Sequence, residues 1–168
     1  MAFTIENTAI IALVLLTGLS AGLCFTWTNA ITPGIGRLDD FGYLQSFQQM
    51  NRTILNPTFF IVFFGPLLLG IINLFVMRGA SSSFIWLLGF AVLIYFLGVV
   101  LVTIFGNVPL NGLLDNTDLG IATIDELRQV REKFEIRWNR LHSIRTFASF
   151  ISFLLLIISL SQNIKTYY

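Results

Sequence analysis

An all-α membrane protein is the fold class this sequence predicts. It reads as a four-transmembrane-helix bundle with helices two and four extended beyond the bilayer on one side. Three observations carry this. Of 168 residues, 55% are apolar and 11% are charged, whereas soluble domains average about 25% charged residues. Four charge-free stretches, near residues 8–29, 56–77, 84–106 and 146–161, are each long enough to cross a hydrocarbon core of about 30 Å as a helix. Polar residues at helical spacing lead into the second and fourth of them. The chain therefore reads as a single integral membrane domain, 1–168, with membrane lipid as a partner. A net charge of +1 offers no bulk electrostatic argument for nucleic acid, and none is expected as a partner. The lone Cys24 excludes an intrachain disulfide and a cysteine-based zinc site. The N-terminal Met1 to Glu6 lacks a positive stretch, so no signal peptide is expected.

The first span, Thr8 to Asn29, carries Gly18 and Gly22 as Gly-x-x-x-Gly. That motif permits close helix approach, although glycine is also simply common in membrane helices. Trp27 and Asn29 mark its interfacial end. Ile31 to Gly34, with Pro33, predicts a turn. Phe41 to Leu55 has an amphipathic period and predicts an interfacial helix continuing into the second span. In that span Pro57 stands where a missing amide donor matters least, Pro66 predicts a kink, and Asn73 predicts a contact with another helix. Arg78 to Ser83 is a tight loop. The third span, Phe84 to Gly106, ends at Asn107-Val108-Pro109-Leu110-Asn111, where Pro109 predicts a stop. Thr123 with Glu126 three residues on predicts a capping box. From about Ile124 nothing breaks a helix up to Ile164: there is no Pro and no Gly.

This order gathers the polar span ends at one membrane face. Eight of the ten Lys and Arg residues lie on that side; Arg78 and Lys165 are the others. The positive-inside rule places that face in the cytoplasm and both termini outside, in what reads as a bacterial inner membrane. A reporter active only in the cytoplasm, fused at Tyr168, is expected to stay silent; activity there would reverse the orientation.

Glu135, Trp138, His142 and Arg145 fall at spacings of three and four, so they share a helix face at the entry to the fourth span. His142 is the only histidine and the candidate catalytic residue, as general base or proton relay. The plainer alternative is an interfacial histidine bonding a helix end or a headgroup. Trp27, Asn51, Arg52, Asn56, Asn107, Asn111, Trp138, Asn139 and Arg145 are the candidate substrate-binding residues. Asparagines at a membrane face are costly unless they find partners, which favours a pocket. Arg52 and Arg145 would pair, face a cavity or snorkel, with Glu135, Asp39 and Asp40 as candidate partners. No metal-ligand spacing is present, and no metal or cofactor is expected.

Four motifs together resemble the anthrone oxygenase-like family of small four-helix membrane proteins, long catalogued as a domain of unknown function. They are Trp27-Thr28-Asn29, Met50 to Pro57, Asn107 to Asn111, and Trp138 to Arg145. The resemblance spans nearly the whole chain, and the order and spacing of the last two motifs are its specific part. It implies an oxidoreductase that converts anthrones to anthraquinones with O2, without metal or flavin. Asn51, Asn56, Pro57, Asn107, Pro109, Asn111, Trp138, His142 and Arg145 match motif positions. Two readings follow. One is a cofactor-independent monooxygenase acting on an anthrone-like or other aromatic, quinone-like small molecule. The other is a non-catalytic membrane protein binding a lipid, a quinone or a partner protein through the same face. Self-association stays open in both.

Overall fold

The computed structural model describes residues 5–165. Met1 to Thr4 and Thr166 to Tyr168, counted in the single domain above, lie outside the described residues. The elements in order are α1 (Ile5–Thr26), a π-helical segment (Trp27–Ile31), α2 (Thr32–Ile35), α3 (Asp40–Ile54), α4 (Pro57–Val76), α5 (Ser82–Tyr95), two further π segments (Phe96–Leu101 and Thr103–Asn107), α6 (Val108–Asp115) and α7 (Ile124–Lys165). Four helical stretches are long and apolar enough to cross a membrane: Asn7–Ile35, Pro57–Val76, Ser82–Asp115 and Ile124–Gln162. The protein is an all-helical integral membrane protein.

Two expectations about proline are corrected. The first helical stretch does not turn at Ile31 to Gly34 but runs to Ile35, and the third does not stop at Pro109 but runs to Asp115. The cause is the same in both. A proline ring collides with the carbonyl four residues before it and offers no amide donor. Here each proline sits at the second residue of a helix that follows a π segment. In the wide turn the bonds reach back five residues, from the Thr32 N–H to the Trp27 carbonyl and from the Val108 N–H to the Thr103 carbonyl. The helix absorbs the proline instead of ending. Such π turns often accompany functional sites.

The helix before the second span is also separate from it. The Asp39 carboxylate caps α3 by accepting the Gly42 N–H at 2.7 Å. At its other end Leu55 leaves the helical region and Asn56 is extended, with φ −129° and ψ 162°. The Asn56 side chain then caps α4, accepting the Phe59 N–H at 3.0 Å. The capping box on α7 forms as its spacing predicts: the Glu126 carboxylate accepts the Thr123 N–H at 2.7 Å, which holds its acidity above that of an ordinary glutamate. At about 1.5 Å per residue, the 42 residues of α7 reach roughly twice the thickness of a hydrocarbon core.

That excess length has a partner. The α3 residues Tyr43, Leu44 and Phe47 pack on Phe134 and Trp138 of α7, and all five are buried. Phe47 meets both α7 rings edge-on at 4.7 Å, a favoured aromatic geometry. Arg131 closes this layer. Its guanidinium donates to the Gly36 and Leu38 carbonyls at 2.8 and 2.9 Å, to Asp40 at 3.1 Å and to Glu135 at 2.7 Å. It also lies 4.5 Å over the Tyr43 ring. Burial pushes the Tyr43 phenol well above its usual range; Glu135 adds to this and Arg131 opposes it. The Glu135 carboxylate in turn raises Arg131.

Inside the bundle, Tyr95 donates to the Phe63 carbonyl at 2.9 Å and lies 2.7 Å from the Ser20 hydroxyl, joining three spans. Ser152 donates to the Ala91 carbonyl at 2.9 Å and adds the fourth. Asn73 is buried but bonds its own helix, donating to the Leu69 carbonyl at 2.8 Å. Of the Gly-x-x-x-Gly pair, a methyl at Gly18 would lie 2.9 Å from the Phe153 ring, while Gly22 faces open space. A methyl at Gly98 would meet its neighbour more closely still, 2.4 Å from the Ala148 Cβ.

Candidate functional site

At the polar face the helices line a partly open cavity of about 300 Å³. α1 and its π segment contribute Cys24 and Trp27, α3 contributes Asn51 and Arg52, and the third stretch contributes Thr103, Asn111 and Asp115. Trp138, His142 and Arg145 come from α7, one helical turn apart. Most of the remaining wall is aliphatic or aromatic, including Leu23, Leu55, Phe59 and Val108. Seven of the ten residues singled out in the sequence line it: Trp27, Asn51, Arg52, Asn111, Trp138, His142 and Arg145.

The other three lie elsewhere. Asn56 is engaged as the cap of α4 and donates to the Thr53 carbonyl at 3.0 Å. Asn107 is fully buried and does not line the cavity, with its amide 3.4 Å from the Trp138 carbonyl and its side-chain oxygen unpartnered. Asn139 is half-buried, and its side-chain oxygen has no partner.

His142 is 2% exposed. Its ring stacks on Trp138 with centroids 4.8 Å apart and planes at 14°, and Trp27 approaches from the side at 6.2 Å. Nε2 lies 3.0 Å from the Cys24 carbonyl. A carbonyl can only accept, so Nε2 carries the hydrogen and the neutral ring keeps its lone pair on Nδ1. Nδ1 is buried and has no partner. The Cys24 carbonyl also lies 3.4 Å from the Thr146 hydroxyl, and Thr146 meets Thr28 across the helices at 2.8 Å. The Cys24 main-chain carbonyl of α1 thus fixes the tautomer. Residue patterns gave no sign of this, because the acceptor is a main-chain atom of an otherwise apolar helix.

The donors around the ring are ordered in the same way. Trp138 Nε1 donates to Asn111 Oδ1 at 2.7 Å, so the Asn111 amide has its N–H groups left to offer. Asn51 Nδ2 and Arg145 Nε are buried without partners. The expected pairing of the arginines changes. Arg52 pairs with Asp115 at 2.7 Å, and both side chains are about half exposed. Glu135 and Asp40 hold Arg131 instead, and Asp39 caps α3. Among the described residues no carboxylate pairs with Arg145. The Arg52–Asp115 pair also borders an outer, more polar cleft of about 440 Å³ lined by Gln45, Gln48 and Asn116. Among the described residues no cluster of three His, Cys, Asp or Glu side chains is placed to hold a metal ion.

These features define a four-span membrane protein with an aromatic cavity at one face, furnished with one imidazole and several amide and guanidinium donors. A family model described as anthrone oxygenase matches residues 59–155, more than half of the chain. The chain belongs to the anthrone oxygenase family. No curated protein and no solved structure matches it. The matched segment holds Asn111, Trp138, His142 and Arg145, whereas Cys24, Trp27, Asn51 and Arg52 come from the helices that precede it.

Proposed function

We propose that the protein is a cofactor-independent oxygenase that takes a flat, anthrone-like aromatic from the membrane and oxidises its ring methylene to a ketone. The observation that carries this reading is the unpartnered Nδ1 of His142, in a ring whose other nitrogen is tied to a backbone carbonyl, beside donors that line the same cavity. A volume of about 300 Å³ stands at the lower end of the ~300–1,000 Å³ typical of small-molecule sites. It is lined as a flat hydrocarbon framework requires, with Trp27 and Trp138 in its wall.

An anthrone methylene is acidic because its carbanion is delocalised onto the ring carbonyl. His142 Nδ1 takes the first proton, and the Asn111 amide supplies its N–H groups to the enolate oxygen. The carbanion gives its electrons to O2 and forms a C–O bond, and the peroxide takes a proton from the imidazolium. Loss of the second C–H proton then breaks the O–O bond. One oxygen atom stays as the new carbonyl and the other leaves as water, so the substrate supplies all four electrons. Asn107, Asn56 and Asn139 act through packing and capping in this scheme rather than by touching substrate. The cavity faces the cytoplasm of a bacterial inner membrane and both termini face away, because Arg52, Arg140 and Arg145 are close to the spans on that side.

Purified protein supplied with a hydroxyanthrone and ¹⁸O2 is expected to form the anthraquinone faster than the spontaneous reaction, with one ¹⁸O in the product. A rate equal to the blank, with the ligand nevertheless bound, would replace this reading with a non-catalytic quinone-binding role.

A further inference from the structure

The charges of the cavity do not balance. Two guanidiniums and one carboxylate line it. Arg52 and Asp115 match each other at 2.7 Å, so Arg145 is left over. Its Nε is buried and unbonded, and its guanidinium lies 5.9 Å from the centroid of the Trp138 ring. No acidic residue follows Glu135 in the sequence, so α7 offers it nothing beyond that point. A guanidinium at the edge of a membrane span is costly unless an anion or a polar cavity meets it. Asn51 Nδ2, another buried and unbonded donor, lines the same cavity. His142, nine-tenths buried and more, adds a ring without a partner on Nδ1.

We infer that the cavity selects a planar aromatic carried as an anion, one with a carboxylate or an ionised phenol on its ring system, and that Arg145 with Asn51 receives that group while Trp27 and Trp138 hold the rings. This deepens the oxygenase reading by naming its substrate class and rests on it only for turnover; the charge argument concerns binding alone. Arg145 would form a charge-assisted pair with that anion, stronger than a neutral hydrogen bond. Arg52 cannot do so without giving up Asp115.

The test is binding of two unreactive probes of the same shape, anthraquinone-2-carboxylate and neutral anthraquinone-2-carboxamide. Protein in phosphatidylcholine nanodiscs is used, followed by quenching of tryptophan fluorescence. The acid is expected to bind roughly tenfold or more tightly than the amide. Arg145→Gln is expected to erase that preference while keeping amide binding, and Arg145→Lys to restore part of it. Equal affinities in the native protein, or a preference that survives Arg145→Gln, would overturn the inference. If phosphatidylglycerol nanodiscs abolish acid binding, the anion is a lipid phosphate and the aromatic-acid assignment is also overturned. Should Arg145→Gln fail to fold, the native acid-to-amide ratio and its Arg145→Lys value still decide. Acid-probe binding together with no O2 consumption when a hydroxyanthrone is supplied would remove the oxygenase reading and leave this one standing. Turnover of a neutral anthrone with no preference for the acid would do the reverse.

Discussion

Replacing His142 with alanine is expected to lower O2-dependent turnover by about 10²–10⁴-fold, the usual contribution of a positioned general base. The difficulty is that His142 also has structural contacts. It stacks on Trp138 at 4.8 Å and bonds the Cys24 carbonyl at 3.0 Å, so alanine removes a packing partner and leaves a buried carbonyl short of a donor. Lost hydrogen bonds of this kind cost about 0.5–1.5 kcal/mol, and some loss of activity could be a loss of fold. His142→Gln separates the two effects. An amide N–H can still donate to Cys24, but an amide nitrogen is no base. The glutamine variant is therefore expected to unfold close to the native temperature in detergent and to be as inactive as the alanine variant. If glutamine keeps turnover within tenfold of native, the imidazole is not the base. If both variants lose stability together and activity tracks the folded fraction, His142 is structural.

How much of this was legible in the sequence depends on what kind of atom carries each feature. The spans were legible because charge is excluded from hydrocarbon, and a stretch such as 84–106 shows that at once. The caps at Thr123 and Glu126 were legible because both halves of the interaction are side chains three residues apart. The course of the chain at Pro33 and Pro109 was not. A proline normally marks a stop, and the π segments that absorb these two leave no residue pattern. The fixing of His142 by Cys24 was hidden because the acceptor is a main-chain carbonyl. Ion pairing was misjudged for a different reason. Arg52 meets Asp115, 63 positions away, and Arg131 gathers the turn at Gly36 to Asp40. Neither follows from local spacing. The residues that line the cavity were found mainly where an aromatic or amide group recurs at a span end. Of the three that missed it, Asn56 and Asn107 are asparagines employed by the backbone, and Asn139 is half-buried away from the cavity with its side-chain oxygen unpartnered.

The contact of Gly98 with Ala148 supplies the second large effect. A methyl built on Gly98 would stand 2.4 Å from the Ala148 Cβ, whereas apolar carbons prefer about 3.5–4.0 Å. Neither carbon can swing away, since each is fixed to its backbone. Gly98→Ala must therefore push the third and fourth spans apart, and the core of Phe63, Tyr95, Val99 and Val100 lies beside that contact. Overpacking of this sort costs about 1–3 kcal/mol. It should also disturb the cavity, because α7 carries Arg145, His142 and Trp138 within about three turns of Ala148 on the same rigid rod. Removing the opposing methyl is the counter-test. Ala148→Gly alone leaves a small void and is expected to be mildly destabilising. Combined with Gly98→Ala, it exchanges the methyl from one helix to the other and is expected to recover most of the loss. The double-mutant cycle should show strong coupling, as residues in contact do. Gly22→Ala, where a methyl meets nothing within 4 Å, is expected to change stability little. Unfolding in detergent, followed by near-UV circular dichroism, measures all four variants against the native protein. Additive effects of the Gly98 and Ala148 changes would mean that the two helices do not meet there.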